Sequence, residues 1–350
     1  MRLQDLKVVP VGGFVRLTLV TLVVGSMFVS YTDRVAAVPT GAGGKAAGKT
    51  QTAGGAKAAG GARAAGRARA ASSGRGPHHG PELKSSVALV LDVARGETLY
   101  AKHPDQVAPI ASITKLMTAM VVLDAQCPLD EAIEIDRADV DTRKHTRSRL
   151  PVGESLGRGE LLRVALMASD NRAATALART YPGGTEACLE AMNRKAKELG
   201  MFRTRFIDPT GLSGGNVSSA EDLSRMVQAA AAYPAIHEAT TSSFHAVTLS
   251  SGRVLEFHNS DGLVHNKTWN IGLSKTGYIN EAGRCLVLQA EIAARQTVIV
   301  LLNSWGKYTR LGDANRIRKW MEAVLPPPGD GPEVIRRAEP ARAQGTQAGS

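Results

Sequence analysis

Cysteine is scarce in this 350-residue sequence, which holds three: Cys127, Cys188 and Cys285. Three cysteines cannot form the disulfide framework on which many small secreted domains depend. One bridge is still open to an exported chain, and Cys127 with Cys188 is the pair to test. Three unpaired, mostly buried thiols are the alternative.

Long apolar runs and internal repeats are also missing. The apolar run near the N terminus, residues 17–30, has fourteen residues, whereas a membrane-spanning helix needs about 20. The mixed, non-repeating composition excludes a multi-span membrane protein, a collagen, a coiled coil and a wholly disordered chain.

Positive charge is concentrated at the N terminus. Residues 1–80 carry eleven Lys and Arg against two acids, and residues 326–350 carry three of each. The formal net charge of +11 therefore leaves +2 for residues 81–325. A domain of that size buries roughly 70–75% of the surface of its unfolded chain, which suffices for a stable core. We expect one nearly neutral domain at 81–325.

Residues 1–37 have the pattern of a secretory signal. Arg2, Lys7 and Arg16 precede the apolar run, and small residues follow at 35–37. This order is typical of a signal peptide; an uncleaved signal anchor, which would tether the chain to the membrane, is the alternative. Either form takes the chain out of the cytoplasm, so we expect a periplasmic protein.

Residues 38–80 consist mainly of Ala, Gly, Lys and Arg, and residues 326–350 are rich in Pro and polar residues. Neither segment has enough apolar side chains to offset the entropy of ordering, so both are expected to be disordered. An exported basic segment without interleaved aromatic residues is not expected to bind nucleic acid. A flexible spacer attracted to anionic lipid or wall polymer fits the composition better.

Hydrophobic alternation predicts strands at both ends of the domain, and helical periodicity predicts helices between them. One antiparallel sheet built from both chain ends, with a helical insert packed against it, is an α+β fold. Ser218 and Glu221 form a capping-box pattern, and Asp313 is expected to cap the last helix. The predicted strands are 86–92, 97–102, 246–249, 254–258, 271–278, 284–292 and 297–303. The predicted helices are one that begins at 112, two at 158–180 and 185–199, one that follows residue 218, and a last one that begins near residue 313.

Ser112-Ile113-Thr114-Lys115 places a hydroxyl and an amine three residues apart at the start of a predicted helix. Residues at i and i+3 share a helix face, so Lys115 can reach the Ser112 oxygen. The helix N terminus adds positive potential that favours developing negative charge. Alone the pattern is weak, because a chain of this length contains about one S-x-x-K by chance. A helix-capping serine with a solvated lysine would look the same.

Two further short motifs follow in a fixed order. Ser169-Asp170-Asn171 comes 57 residues after Ser112, where an amphipathic helix gives way to a polar break, and by itself it would fit a helix cap. Lys275-Thr276-Gly277 comes 106 residues later on an apolar strand, where a glycine permits close backbone approach. S-x-x-K, S-x-N and K-T-G in this order are the signature of penicillin-binding proteins and serine β-lactamases.

Longer stretches resemble the low-molecular-mass D-alanyl-D-alanine peptidases, a family of penicillin-binding proteins. They are PIASITKLMTAMVVLDA around Ser112, MASDNRAATALARTYPGG around Ser169, FIDPTGLSGGNVSSA, and WNIGLSKTGYINEAGRCLV around Lys275. The similarity runs from about 82 to 325 and favours the endopeptidase branch of the penicillin-binding protein 7 type. It implies a β-lactamase/transpeptidase-like fold for the whole domain.

The resemblance implies a serine peptidase that forms an acyl-enzyme. Ser112 is the implied nucleophile, and Lys115 is its general base once burial and the second cation, Lys275, lower its pKa from about 10.4. Ser169 is implied to relay a proton to the departing amine. The backbone N–H groups of Ser112 and Tyr278 would form the oxyanion hole.

Substrate contacts are implied by the same resemblance. Asn171 would hold the peptide backbone of the substrate, and Lys275 with Thr276 would bind the carboxylate of the scissile D-residue. Gly277 would let that backbone approach closely. The implied partners are peptidoglycan stem peptides, with β-lactam antibiotics as covalent inhibitors. No cofactor or metal is expected, since the histidines lack ligand-like spacing.

The resemblance leaves three alternatives to an endopeptidase that cuts D-alanyl to meso-diaminopimelate cross-links. A D-alanyl-D-alanine carboxypeptidase usually has a second, strand-rich domain, but 48 residues separate Gly277 from the Pro-rich tail. A class A β-lactamase needs an E-x-x-L-N loop, and Glu186 with Leu189 is followed by Glu190 instead of asparagine. A non-catalytic wall-binding protein would not be expected to keep all three motifs.

Overall fold

The computed structural model describes residues 80–325. The predicted signal, basic linker and tail, residues 1–37, 38–80 and 326–350, lie outside the described residues apart from Gly80. The strands are β1 (Val87–Asp92), β2 (Glu97–Lys102), β3 (Ala108–Pro109), β4 (Ala132–Glu134), β5 (Ser155–Gly157), β6 (Val217–Ser218), β7 (Phe244–Thr248), β8 (Val254–His258), β9 (Asn270–Ile279), β10 (Gly283–Ile292) and β11 (Arg295–Ser304). The helices are α1 (Thr114–Asp124), α2 (Arg158–Met167), α3 (Asn171–Arg179), α4 (Gly184–Glu198), α5 (Ala220–Ala231), α6 (Pro234–Thr241) and α7 (Thr309–Val324), with short 3-10 helices at Ala111–Ile113, Arg137–Asp139 and Gly262–His265.

Five strands form one antiparallel sheet in the order β2-β1-β11-β10-β9. Its two halves come from opposite ends of the domain, because β1 pairs with β11, with Val87 opposite Leu302 and Asp92 opposite Thr297. The remaining short strands form three two-stranded pairs, β3 with β6, β4 with β5 and β7 with β8. The predicted α+β fold with a sheet built from both ends and a helical insert is therefore confirmed.

Both faces of the large sheet are covered by helices. Alternate side chains of a strand point to opposite faces, and in β1 Val87 and Leu89 pack into the cluster that holds the insert helices. Ala88 and Val90 pack instead into a second cluster with Ile317 of α7. A sheet buried on both sides needs apolar residues at every position, which explains the run VIVLL within β11.

Three predicted helix boundaries are wrong. The helix expected at 158–180 is interrupted between α2 and α3, where Ser169 has a φ of 61° that a helix cannot contain. Helix α5 is capped by Ser219, which accepts a hydrogen bond from the backbone N–H of Asp222 at 3.2 Å, so the Ser218–Glu221 capping box does not form. Helix α7 begins four residues before Asp313, whose carboxylate accepts from the Ser85 hydroxyl at 2.6 Å.

Helix α6 was not predicted from the sequence, and it begins with Pro234 in its first turn. The other predicted elements occur, with ends that differ by one or two residues. Cys127, Cys188 and Cys285 are all free thiols, so the candidate bridge between Cys127 and Cys188 is not formed. Among residues 80–325, no helix combines the length and the apolar character needed to cross a membrane.

Candidate active site

The three short motifs meet where α1, α3 and β9 come together. Ser112 lies in the 3-10 turn before α1, and Lys115 lies in the first turn of α1. The Lys115 amine is 2.9 Å from Ser112 Oγ and 2.6 Å from Asn171 Oδ1, at the first residue of α3. From β9, a Cβ atom at Gly277 would lie 3.0 Å from the Ser112 backbone nitrogen. Residues far apart in sequence thus line one site.

Lys115 is almost completely buried, with 1% of its surface exposed. Its amine has a third partner, the carbonyl oxygen of Thr210 at 2.7 Å. Burial lowers the pKa of Lys115 to about 7, against the opposing charges of Asp208 and Asp170. A substantial fraction of the amine is therefore neutral near pH 7, as a general base requires.

The Thr210 carbonyl is placed by a loop built around one carboxylate. Asp208 Oδ1 accepts hydrogen bonds from the Thr210 N–H at 2.8 Å, the Thr210 hydroxyl at 2.6 Å and the Gly211 N–H at 2.7 Å. Aspartate commonly folds a turn by binding backbone groups a few residues ahead. The stretch FIDPTGLSGGNVSSA resembles the family, but Thr210 was not among the predicted site residues. The D-P-T-G pattern is a turn signal, yet it does not reveal that the turn faces Lys115.

The backbone next to Ser112 is packed against two glycines. Ala111 has a φ of 47°, a left-handed conformation that non-glycine residues rarely adopt. A Cβ atom at Gly211 would lie 1.9 Å from the Ala111 carbonyl oxygen and 2.9 Å from the Ser112 nitrogen. Gly211 also has a φ of 84°. The Asp208 loop thus packs directly against the peptide bond between Ala111 and Ser112, and only glycine fits at position 211.

We expect Gly211→Ala to destabilise the protein by about 2–5 kcal/mol, because a positive φ costs about 1–2 kcal/mol and overpacking a further 1–3 kcal/mol. Urea unfolding measures this. Gly252→Ala is the matched control, since Gly252 has a φ of 79° but no atom within 4 Å of an added Cβ. Gly252→Ala should lower the free energy of unfolding only by the backbone cost of a positive φ, about 1–2 kcal/mol. Equal losses in the two variants would show that Gly211 does not constrain the Ser112 peptide.

The second motif forms the break between α2 and α3. Asp170 caps α3, with its Oδ1 accepting from the Ala173 N–H at 3.0 Å and its Oδ2 accepting from the Ser148 hydroxyl at 2.8 Å. This is the helix-cap role that the motif by itself would fit, since acidic and hydroxyl residues are preferred at helix starts. Ser169, held at positive φ, makes no side-chain hydrogen bond to any of residues 80–325, and its role as a proton relay stays a prediction.

The third motif supplies a buried cation. Lys275 on β9 is 1% exposed, and its amine donates to the Thr276 carbonyl at 3.0 Å. Burial lowers the pKa of Lys275 well below its usual value, and the nearby charge of Lys115 lowers it further. The two amines therefore repel each other, and burial is the main cause of the lowered pKa of Lys115. The expected contribution of Lys275 to the lowered pKa of Lys115 stays a prediction. The Thr276 hydroxyl donates to Ser260 Oγ at 2.8 Å.

Arg310 is a second basic residue that acts on Lys275, and it was not among the predicted site residues. Its charge contributes to the lowered pKa of Lys275. Its Nε and Nη1 atoms are buried and have no hydrogen-bond partner within residues 80–325. Buried N–H groups without a partner are costly, so an anion bound here would gain strong hydrogen bonds from these two atoms. Nothing in the sequence around Arg310 distinguishes it from other arginines.

Tyr278 follows Gly277 at the edge of the site. Tyr278 is 52% exposed, and the Arg284 guanidinium lies 4.5 Å from its ring centre. Because Gly277 packs against the Ser112 nitrogen, the backbone of β9 runs beside the Ser112 peptide. The role of the Ser112 and Tyr278 N–H groups as an oxyanion hole stays a prediction. Within residues 80–325, no group of three or more His, Cys, Asp or Glu residues could hold a metal ion.

Comparisons with known proteins agree with this arrangement. The family model for peptidase S11, D-alanyl-D-alanine carboxypeptidase, matches residues 75–305. A D-alanyl-D-alanine endopeptidase of Pseudomonas aeruginosa is 48% identical over 242 residues, covering 69% of this chain and 78% of the relative. One of Escherichia coli is 45% identical over 251 residues, covering 71% and 81%. The crystal structure of the Streptomyces K15 DD-transpeptidase matches with a TM-score of 0.65 at 26% identity, covering 69% of this chain and 98% of that one.

The matched range contains Ser112, Lys115, the Ser169 motif and the Lys275 motif, so the similarity includes the residues that meet in the site as well as the fold. The two endopeptidases are aligned over about four fifths of their own length and share nearly half of the aligned residues with this chain. The chain therefore belongs to the D-alanyl-D-alanine carboxypeptidase family, peptidase S11, and is a serine DD-peptidase.

Proposed function

We propose that the chain is a D-alanyl-D-alanine endopeptidase that hydrolyses the bond between D-alanine and meso-diaminopimelate in cross-linked peptidoglycan. The observation that carries the proposal is the buried Lys115 amine, 2.9 Å from the Ser112 hydroxyl and with a pKa of about 7. The similarity to two proteins named as endopeptidases supports the choice of bond. Carboxypeptidase activity is the second candidate, since other relatives carry that name.

In the first half of the reaction, Ser112 Oγ attacks the D-alanine carbonyl carbon while its proton passes to Lys115. The resulting oxyanion is stabilised by the N–H groups of Ser112 and Tyr278; one such donor is typically worth about 10²–10³ in rate. When the C–N bond breaks, the proton moves from Lys115 through the Ser169 hydroxyl to the leaving amine. Water then hydrolyses the acyl-enzyme, with Lys115 again as the base.

The carboxylate next to the scissile bond would bind at Lys275, Thr276 and Arg310, while Asn171 and the Gly277 backbone hold the peptide. An anion there favours the charged form of Lys275, because an opposite charge raises the pKa of an amine. A charged Lys275 in turn disfavours a proton on Lys115, with which it interacts. Substrate binding would thereby help to keep the general base neutral.

A β-lactam would acylate Ser112 in the same way as the peptide. Peptidoglycan lies outside the cytoplasmic membrane, which agrees with the export signal predicted at residues 1–37. We therefore place the protein in the periplasm, free or tethered by that segment, with stem peptides as its partners.

Digestion of purified cross-linked muropeptide dimers tests the bond that is cut. We expect dimers to be converted to monomers, identified by mass spectrometry, with Ser112→Ala as the inactive control. Release of D-alanine from pentapeptide stems with the dimers left intact would instead establish a carboxypeptidase. Rapid turnover of nitrocefin, in place of a slowly hydrolysed acyl-enzyme, would point to a β-lactamase.

A further inference from the structure

The loop at 141–150 contacts the site through side chains that alternate in direction. Arg143, His145, Arg147 and Arg149 are exposed, whereas Thr146 and Ser148 are half-buried. The Thr146 hydroxyl donates to Asp141 Oδ2 at 2.7 Å and accepts from Asn171 Nδ2 at 2.9 Å. Asn171 Oδ1 in turn accepts from the Lys115 amine at 2.6 Å. A continuous chain of hydrogen bonds therefore runs from Asp141 to the general base.

Asp141, at the outer end of this series of hydrogen bonds, sets the direction of each of them. An ionised carboxylate can only accept hydrogen bonds, so the single Thr146 hydroxyl hydrogen points to Asp141 and the Thr146 oxygen is left as an acceptor. Only the NH₂ side of the Asn171 amide can donate to that oxygen. The carbonyl side of the amide must then face Lys115.

Asp141 is held in its ionised form by the loop itself. Burial raises the pKa of Asp141, but hydrogen bonds from the Thr146 backbone and side chain and from the backbone N–H groups of Lys144 and Arg143 outweigh burial and lower the pKa below its usual value. The carboxylate is therefore an acceptor over the whole pH range in which Lys115 titrates.

A neutral lysine amine has two N–H donors and one lone pair. Two fixed acceptors, Asn171 Oδ1 at 2.6 Å and the Thr210 carbonyl at 2.7 Å, take the two N–H groups. The lone pair is then left for the third neighbour, Ser112 Oγ at 2.9 Å, which is the atom that must give up its proton. If the Asn171 amide were turned over, its NH₂ group would compete for the same lone pair.

We propose that Thr146 and Asp141 are positioning residues that lock the orientation of the Asn171 amide and so aim the lone pair of Lys115 at the Ser112 hydroxyl. Neither residue contacts the reacting atoms; both act through Asn171. The inference rests on the proposed role of Lys115 as the general base.

Thr146→Val tests this proposal, because valine keeps the shape of threonine and removes the hydroxyl. The second-order rate of acylation by a fluorescent penicillin should fall about tenfold to a hundredfold, the range seen when groups that orient metal ligands are removed. Thr146→Ser keeps the hydroxyl and should retain most of the rate. Thr142→Val, the same change at an exposed position of the loop, is the matched control and should leave the rate unchanged.

The pH profile separates positioning from general damage. The Asn171 carbonyl favours the protonated amine, whereas an NH₂ group turned toward Lys115 disfavours it. In Thr146→Val, the midpoint of the acid limb of the pH–rate profile for acylation should therefore move to lower pH, and the plateau rate should fall. The other charged groups that act on Lys115 are Asp208, Asp170 and Lys275, and none of them is changed.

Asp141→Asn gives an independent test, because an amide can donate to Thr146 and reverse the chain of hydrogen bonds. It should slow acylation and move the midpoint in the same direction. An unchanged rate in Thr146→Val, a slower rate with an unmoved midpoint, or failure of Thr146→Ser to restore the rate would overturn the proposal. Absence of acylation in the unmodified protein would instead contradict the proposed function itself.

Discussion

Ser112→Ala is expected to abolish covalent labelling by a fluorescent penicillin and to lower the rate of peptide hydrolysis by a factor on the order of 10⁶, the scale seen when a nucleophilic serine is removed. Among residues 80–325, Ser112 is the only residue whose hydroxyl is hydrogen-bonded to the Lys115 amine, at 2.9 Å. The other two partners of the Lys115 amine are an amide oxygen and a backbone carbonyl oxygen, and neither is a nucleophile of this kind.

The fold should survive this substitution. Ser112 is half-buried, and its hydroxyl makes one hydrogen bond, to an amine that keeps two other partners. Ser155→Ala, at an exposed serine of β5, is the matched control and should label like the unmodified protein. Mass spectrometry of the intact protein after reaction with penicillin measures the outcome. A mass increase retained in Ser112→Ala would contradict the assignment of the nucleophile.

The fold was largely predictable because its sheet and helices follow simple periodicities. Alternation and turn residues located β1, β2 and the strands β7–β11, and the spacing of apolar residues located α1 and α4. The errors have local causes that a pattern cannot show. The positive φ of Ser169 separates α2 from α3. The carboxylate of Asp313, which would otherwise suit a helix cap, accepts a hydrogen bond from Ser85 instead.

The residues of the site also fall into those that the sequence predicted and those that it did not. Ser112 and Lys115 could be paired from helix geometry alone, and the order of the three motifs made their convergence an expectation. Thr210, Thr146 and Arg310 could not be found, because a backbone carbonyl, a loop hydroxyl and a surface-like arginine carry no signal in the sequence. Each acquires its function only from the neighbour that folding supplies. The residues that position and tune the catalytic groups are therefore harder to predict from the sequence than the catalytic residues themselves.

Acylation by penicillin should rise with pH and reach half of its plateau near pH 7. The neutral form of Lys115 is the base, and burial lowers its pKa to about 7. Below that pKa the neutral fraction falls about tenfold for each pH unit, and above it the amine is fully neutral, so the rate stays level. A lysine with its ordinary pKa of about 10.4 would instead give a rate still rising at pH 9.

Lys115→Met is expected to lower the plateau rate by about 10²–10⁴, the usual contribution of a general base, and to remove the limb near pH 7. Methionine keeps the length of the chain but has no lone pair that accepts a proton from Ser112 at this pH. Lys197→Met, at an exposed position of α4, is the matched control and should keep both rate and profile. Stopped-flow measurement across pH 5–9 checks both features together. Survival of the same limb in Lys115→Met would assign the titration to another group, whereas its loss with a normal melting temperature would show that the buried amine of Lys115 takes the proton of Ser112.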